Sequence, residues 1–132
     1  MQVNGLNHIN IVAADLDATV KFYETVLGMK AMEIPMAPAG FAGRWINDAD
    51  DQPIVHVQAH NPDRHGPLSE RPEGLGPLDH IALTCADFDG MLARCEKLEI
   101  EHRVNDRQFG DLRQIFVTDP DGVVLELNFP ED

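Results

Sequence analysis

Leu6-Asn7-His8-Ile9 recurs seventy-two positions later as Leu78-Asp79-His80-Ile81, and this repetition decides the fold. The register holds outward from it without a gap: Ala14-Asp15 meets Ala86-Asp87, Asp17 meets Asp89, and Glu24 meets Glu96. Further on the match loosens but stays legible, with Ile54-Val55-His56-Val57 answering Val124-Leu125-Glu126-Leu127 at a shift of seventy. A sequence that repeats itself at long period uses one supersecondary unit more than once.

Within each copy the hydrophobic period changes in a fixed order. Residues 6–12 and 78–84 are short apolar runs with β-branched content, which predicts strands. Asp15 or Asp17 then offers an N-cap; Val20, Tyr23 and Leu27 follow at helical spacing, and Gly28 suits the helix exit. The second copy offers Asp87 or Asp89 as cap and Met91, Leu92, Cys95 and Leu98 as the buried stripe. Three strand-like segments follow each helix: residues 30–35, 41–46 and 54–59, then 101–104, 112–118 and 123–129. Asp119-Pro120-Asp121-Gly122 is a turn between the last two. The unit is βαβββ, used twice, and the fold class is α+β. Residues 1–132 are expected to form a single domain, with a first module over 5–60, a surface linker over 61–77 and a second module over 78–130. Prolines and glycines crowd the linker, and its His65, like His60 just before it, reads as a solvated loop residue.

Composition bounds the function. Ten basic residues against twenty-three acidic ones give a net charge of −13, the opposite of what a phosphate-backbone partner requires. Nucleic acid and anionic membrane surfaces are therefore excluded as partners. At 43% apolar the chain can fill a core, but no run is long enough to span a bilayer. No basic, apolar leader is visible, and two cysteines, Cys85 and Cys95, cannot form a disulfide framework. The expected location is the cytoplasm.

Alternate residues of a strand share a face. If Ile9 and Ile11 pack under the helix, His8 and Asn10 point the other way. By the same phase His80, Ala82 and Thr84 oppose Ile81 and Leu83, His56 and Gln58 oppose Val55 and Val57, and Glu126 and Asn128 oppose Leu125 and Leu127. One histidine in a strand is ordinarily a hydrogen-bonded rim residue. Two histidines at matching places in both first strands, with ligand-type residues at matching places in both last strands, ask for a common explanation. Three imidazoles and one carboxylate (His8, His56, His80 and Glu126) suit a single borderline divalent cation such as Zn, Fe, Mn, Co or Ni.

The motifs Leu6-Asn7-His8-Ile9, Lys21-Phe22-Tyr23-Glu24-Thr25-Val26-Leu27-Gly28-Met29, Leu78-Asp79-His80-Ile81 and Asp119-Pro120-Asp121-Gly122 leading to Glu126 resemble the vicinal oxygen chelate (glyoxalase, bleomycin-resistance and dioxygenase) superfamily. The resemblance implies paired βαβββ modules, each forming part of a half-barrel cup around one divalent metal. It places ligands on His8, His80 and Glu126, with the fourth on His56. It also implies a small-molecule substrate that chelates through neighbouring oxygens, and a homodimer.

Departures from the pattern bear on the branch. Glyoxalase I-like members carry glutamate where His56 stands and a basic residue soon after the first histidine, whereas here that stretch is Ile11-Val12-Ala13-Ala14. Extradiol dioxygenases carry tyrosine where Phe116 stands and a histidine shortly before it, which residues 108–114 lack. Acyl-thioester epimerases, with a mixed His, Gln and Glu set, and thiol transferases of epoxide antibiotics, with two His and one Glu, are similar. Bleomycin-type binding proteins are acidic dimers, but they generally lack a ligand set. The expected activity is a metal-dependent lyase, isomerase or epimerase step through a metal-stabilised enediolate, with Glu126 or His56 as the base. A dioxygenase and an acidic drug- or metabolite-binding protein are the alternatives. Asn10, Gln58, Gln114, Phe116 and Asn128 are expected to line the substrate, with Thr84 beside them. Arg44 and Arg113 are candidate anion anchors or surface ion pairs.

Overall fold

A computed structural model describes residues 1–72, 74–108 and 110–130. The chain divides into two compact units, Met1–Ser69 and Glu70–Asp132. The first holds β1 (Ile9–Ala13), α1 (Leu16–Thr25), β2 (Lys30–Met32), β3 (Gly43–Asn47), β4 (Pro53–Ala59) and a four-residue helix α2 (Pro62–His65). The second holds β5 (Ile81–Thr84), α3 (Phe88–Lys97), β6 (His102–Asp106), β7 (Arg113–Thr118) and β8 (Val124–Phe129).

Both units build the same sheet. Its order is β1-β4-β3-β2 in one and β5-β8-β7-β6 in the other. The first strand runs parallel to the last in each, and the remaining pairs are antiparallel. A parallel pair needs a long crossover, and the helix and two strands of each repeat supply it. In the first unit α1 packs on the sheet through Tyr23, with Val55, Val57 and Ile46 fully enclosed. In the second, Phe88 of α3 meets Phe129 edge to face at 5.3 Å, over Ile115, Leu125 and Leu127. Strand phases follow the sequence pattern: Leu125, Leu127 and Phe129 are buried while Val124, Glu126 and Asn128 are only partly so.

Asp15 and Asp87 are the N-caps, accepting from the Ala18 and Gly90 backbone N–H groups at 3.1 and 3.0 Å. Leu98, expected in the buried stripe of α3, is 42% exposed; β2 ends at Met32 rather than at residue 35; and His60, expected to be solvated, has its Nε2 buried. Two further features differ from expectation. The first strands begin at Ile9 and Ile81 rather than at residues 6 and 78, because pairing starts at Ile9↔Val55 and Ile81↔Leu125 and the residues upstream have no ladder partner. Leu6 and Leu78 are accordingly exposed. The segment after β4 also carries local structure, α2 and a 3-10 turn at Leu68–Glu70, where Asn61 caps the Asp63 N–H.

Candidate metal centre

Each unit brings two of the expected ligands together. In the first, His8 stands just before β1 and His56 at the middle of β4, their ring centroids 6.4 Å apart. The His8 Nδ1–H donates to Asn7 Oδ1 at 2.6 Å, which leaves the Nε2 lone pair open. His56 lies opposite Asn10 on β1 and Trp45 on β3. Asn10 Nδ2 donates to His56 Nδ1 at 2.9 Å, and Gln58 Nε2 donates to Asn10 Oδ1 at 2.7 Å. The His56 Nε2 is buried with no hydrogen-bond partner. Burial, then the charges of His8 and Arg64, holds the His56 pKa below 6.5. Trp45 stacks on His56 at 4.7 Å and meets His8 edge-on at 5.0 Å. A cleft of about 220 Å³ lies beyond Gln58, lined by Phe41, His60, Asn61 and Arg64 among others.

In the second unit His80 stands just before β5 with its ring between two carboxylates. Nδ1 is 2.8 Å from Asp79 Oδ1 and Nε2 is 2.6 Å from Glu126 Oε2. A carboxylate oxygen beside each ring nitrogen favours the doubly protonated ring. The hydrogen bond to Asp79 raises the His80 pKa above 6.5, with further support from the Glu126 and Asp79 charges, against the cost of burial. Gln114 on β7, opposite Asn128 and diagonal to Glu126 on β8, donates from Nε2 to Glu126 Oε1 and to Asn128 Oδ1. Phe116 faces Glu126 in register.

The donor chemistry fits a borderline divalent cation: imidazole nitrogen and one carboxylate, with the Nδ1 of His8 and of His80 each tied to an oxygen of the preceding residue, as metal-bound histidines require. Among the described residues no group of three or more His, Cys, Asp or Glu could by itself hold a metal ion; each unit offers a pair. Arg113 is an ion-pair residue, reaching Asp106 at 3.0 Å and Asp89 at 3.2 Å over the Phe88 ring. Arg44 pairs with Glu33 at 3.5 Å. Four participants escape the sequence pattern. Trp45, the one tryptophan of the chain, sits in an expected strand whose facing was open, and its register opposite His56 was the missing signal. Asn105, whose Nδ2 donates to Gln114 Oε1 at 2.7 Å, lies past the expected end of its strand. Asn7 and Asp79 are visible only as neighbours of the histidines.

A two-module βαβββ fold carrying such imidazole and carboxylate pairs defines a class, and the family model of the Glyoxalase/Bleomycin resistance protein/Dioxygenase superfamily matches residues 5–127. The chain belongs to that superfamily. Among curated relatives it is similar to the metallothiol transferase FosB of Lysinibacillus sphaericus, at 28% identity over 97% of this chain and 84% of the relative. It is also similar to Glyoxylase I 4 of Arabidopsis thaliana, at 24% identity over 96% and 71%. The fold matches that of the fosfomycin resistance protein FosX from Listeria monocytogenes, with a TM-score of 0.70 at 19% identity over 96% of this chain and 91% of that one. Among the described residues no helix is long and apolar enough to cross a membrane.

Proposed function

We propose that the chain is a metal-dependent enzyme acting on a small substrate with neighbouring oxygens, promoting proton transfer next to a carbonyl, with His8, His80 and Glu126 as ligands and His56 facing the substrate. The observation that carries this reading is the pairing of His80 Nε2 with Glu126 Oε2 at 2.6 Å, in a ring whose other nitrogen is already held by Asp79. His80 Nε2 and Glu126 Oε2 would both be free to hold a divalent cation once the ring is deprotonated. A bound divalent cation would supply Lewis acidity to the substrate oxygens.

The remaining chemistry belongs to side chains. Asn10 donates to His56 Nδ1, so the neutral ring keeps its proton on Nε2 and is suited to donate a hydrogen bond to a substrate oxygen. The same proton bars Nε2 from ligation until the Asn10 and Gln58 amides turn over, so His8, His80 and Glu126 are the set that needs no amide rearrangement. Glu126 is the carboxylate suited to accept a proton. Trp45 fixes the planes of His56 and His8 and keeps water from one face of His56.

A second reading, opening of an epoxide by a thiol or water, is favoured by His56 itself: a proton-bearing imidazole stands where glyoxalase I-like members carry an anion, and the similarity to the metallothiol transferase points the same way. Chelator-stripped protein titrated with Mn²⁺, Co²⁺, Ni²⁺ and Zn²⁺ should take up one ion per site. It should gain about 2.7 kcal/mol of stability at a hundredfold excess over Kd. The loaded protein is then assayed with a glutathione hemithioacetal and with fosfomycin plus thiol or water. Uptake of no metal, or unchanged uptake in His8→Ala and Glu126→Gln, overturns the proposal.

A further inference from the structure

Gln114 has no side-chain hydrogen-bond donor to spare for a substrate. The polarity of its amide is fixed by a chain that starts at the backbone. The Gln108 N–H, an unambiguous donor, gives to Asn105 Oδ1 at 3.0 Å. Asn105 must then present Nδ2, which donates to Gln114 Oε1 at 2.7 Å. Gln114 in turn must present Nε2, and its hydrogens go to Glu126 Oε1 and, at 2.8 Å, to Asn128 Oδ1. Asn105 is 3% and Gln114 9% exposed, so neither amide has water as an alternative partner. A carboxylate held by a fixed donor keeps one orientation.

We infer that Asn105 and Gln114 are positioning residues that hold Glu126 as an oriented carboxylate, rather than residues that touch substrate. The inference rests on the proposed ligand role of Glu126. The first repeat builds a related clamp, Gln58 to Asn10 to His56, but no backbone donor among the hydrogen bonds described anchors its polarity. The two clamps therefore differ in kind. One is set to donate to a carboxylate, and the other can reverse when both of its amides turn.

The test uses the full chain and Co²⁺ alone, followed by the visible absorption of the bound ion. Gln114→Met keeps the length of the side chain and removes its donors. It should weaken Co²⁺ binding 10- to 100-fold and change the band intensities. Asn105→Leu should weaken binding in the same direction without touching Glu126. Ile115→Val, which removes one buried methylene on the opposite face of the same strand, serves as the structural control and should leave affinity unchanged. Equal affinity in wild type and Gln114→Met, or an equal loss in Ile115→Val, overturns the inference. A metal-free arm separates it from the functional proposal. The Gln114 side-chain N–H resonances should exchange slowly with solvent and shift in both Glu126→Gln and Asn105→Leu. Free exchange in wild type overturns the clamp even if Co²⁺ binds. Slow exchange that responds to both variants supports the clamp even if wild type takes up no Co²⁺, in which case only the metal role of Glu126 falls.

Discussion

His80 and His8 occupy equivalent places in the two repeats and differ by one atom type in the neighbour that orients them, Asp79 against Asn7. That difference has a measurable sign. The His80 pKa is raised above 6.5 in the folded chain, chiefly by its hydrogen bond to Asp79. Its contribution to stability is present in full below the unfolded-state value and is lost as pH rises through the folded one. From about pH 6 to 8 the His80 contribution should lower the melting temperature of metal-free protein, while His56, with its lowered pKa, contributes in the opposite direction. Asp79→Asn, which copies the first repeat, should flatten that slope, and thermal melts in chelator across this range check it. Trp45 allows a second prediction. As the single tryptophan, in contact with both His8 and His56, it should lose emission on stoichiometric Co²⁺ or Ni²⁺ addition and keep it in His8→Ala. The facing of His56, Gln58, Glu126 and Asn128 was legible because period two needs only neighbours in sequence. Trp45 and Asn105 were not, because their roles depend on which residue a different strand sets opposite them.

At the scale of elements, caps and phases were local and could be read, whereas strand starts depended on where a remote partner begins. The two helix exits show how one repeat can solve a problem the other leaves in place. After α1 the left-handed position is Gly28, at φ 68°. After α3 it is Glu99, at φ 55°, while the Ile100 N–H closes on the Cys95 carbonyl at 2.9 Å. A side chain in that region costs about 1 kcal/mol that glycine avoids. Glu99→Gly should raise stability by up to about 1 kcal/mol in denaturant unfolding, the exit geometry being unchanged. At the other end of α3 the reverse holds. A Cβ at Gly90 would lie 2.1 Å from Asp87 Oδ2, the cap that Gly90 itself feeds. Gly90→Ala, ordinarily favourable in a helix, should here destabilise by about 1 kcal/mol, the worth of a displaced cap.

For the molecule as a whole, the net charge of −13 dominates the electrostatics outside the core, and more of it falls in the second repeat than in the first. Like charges repel in any compact arrangement, so part of the folding free energy is spent on holding them together. Added salt shortens the screening length from about 10 Å at 0.1 M to about 3 Å at 1 M, which relieves repulsion between exposed carboxylates while leaving the apolar contacts of each sheet and helix intact. The same field draws divalent cations toward the protein, and screening weakens that attraction. Folding and metal uptake should thus respond to salt in opposite directions. The metal-free chain should gain about 1 kcal/mol, or about 4 °C in Tm, between 0.05 and 0.5 M NaCl. Over the same range Co²⁺ association should slow and its Kd should rise. Melts and stopped-flow Trp45 quenching on one preparation read both. A Tm that falls with salt would mean that ion pairs such as Arg113 with Asp106 and Asp89 outweigh the repulsion of the excess carboxylates.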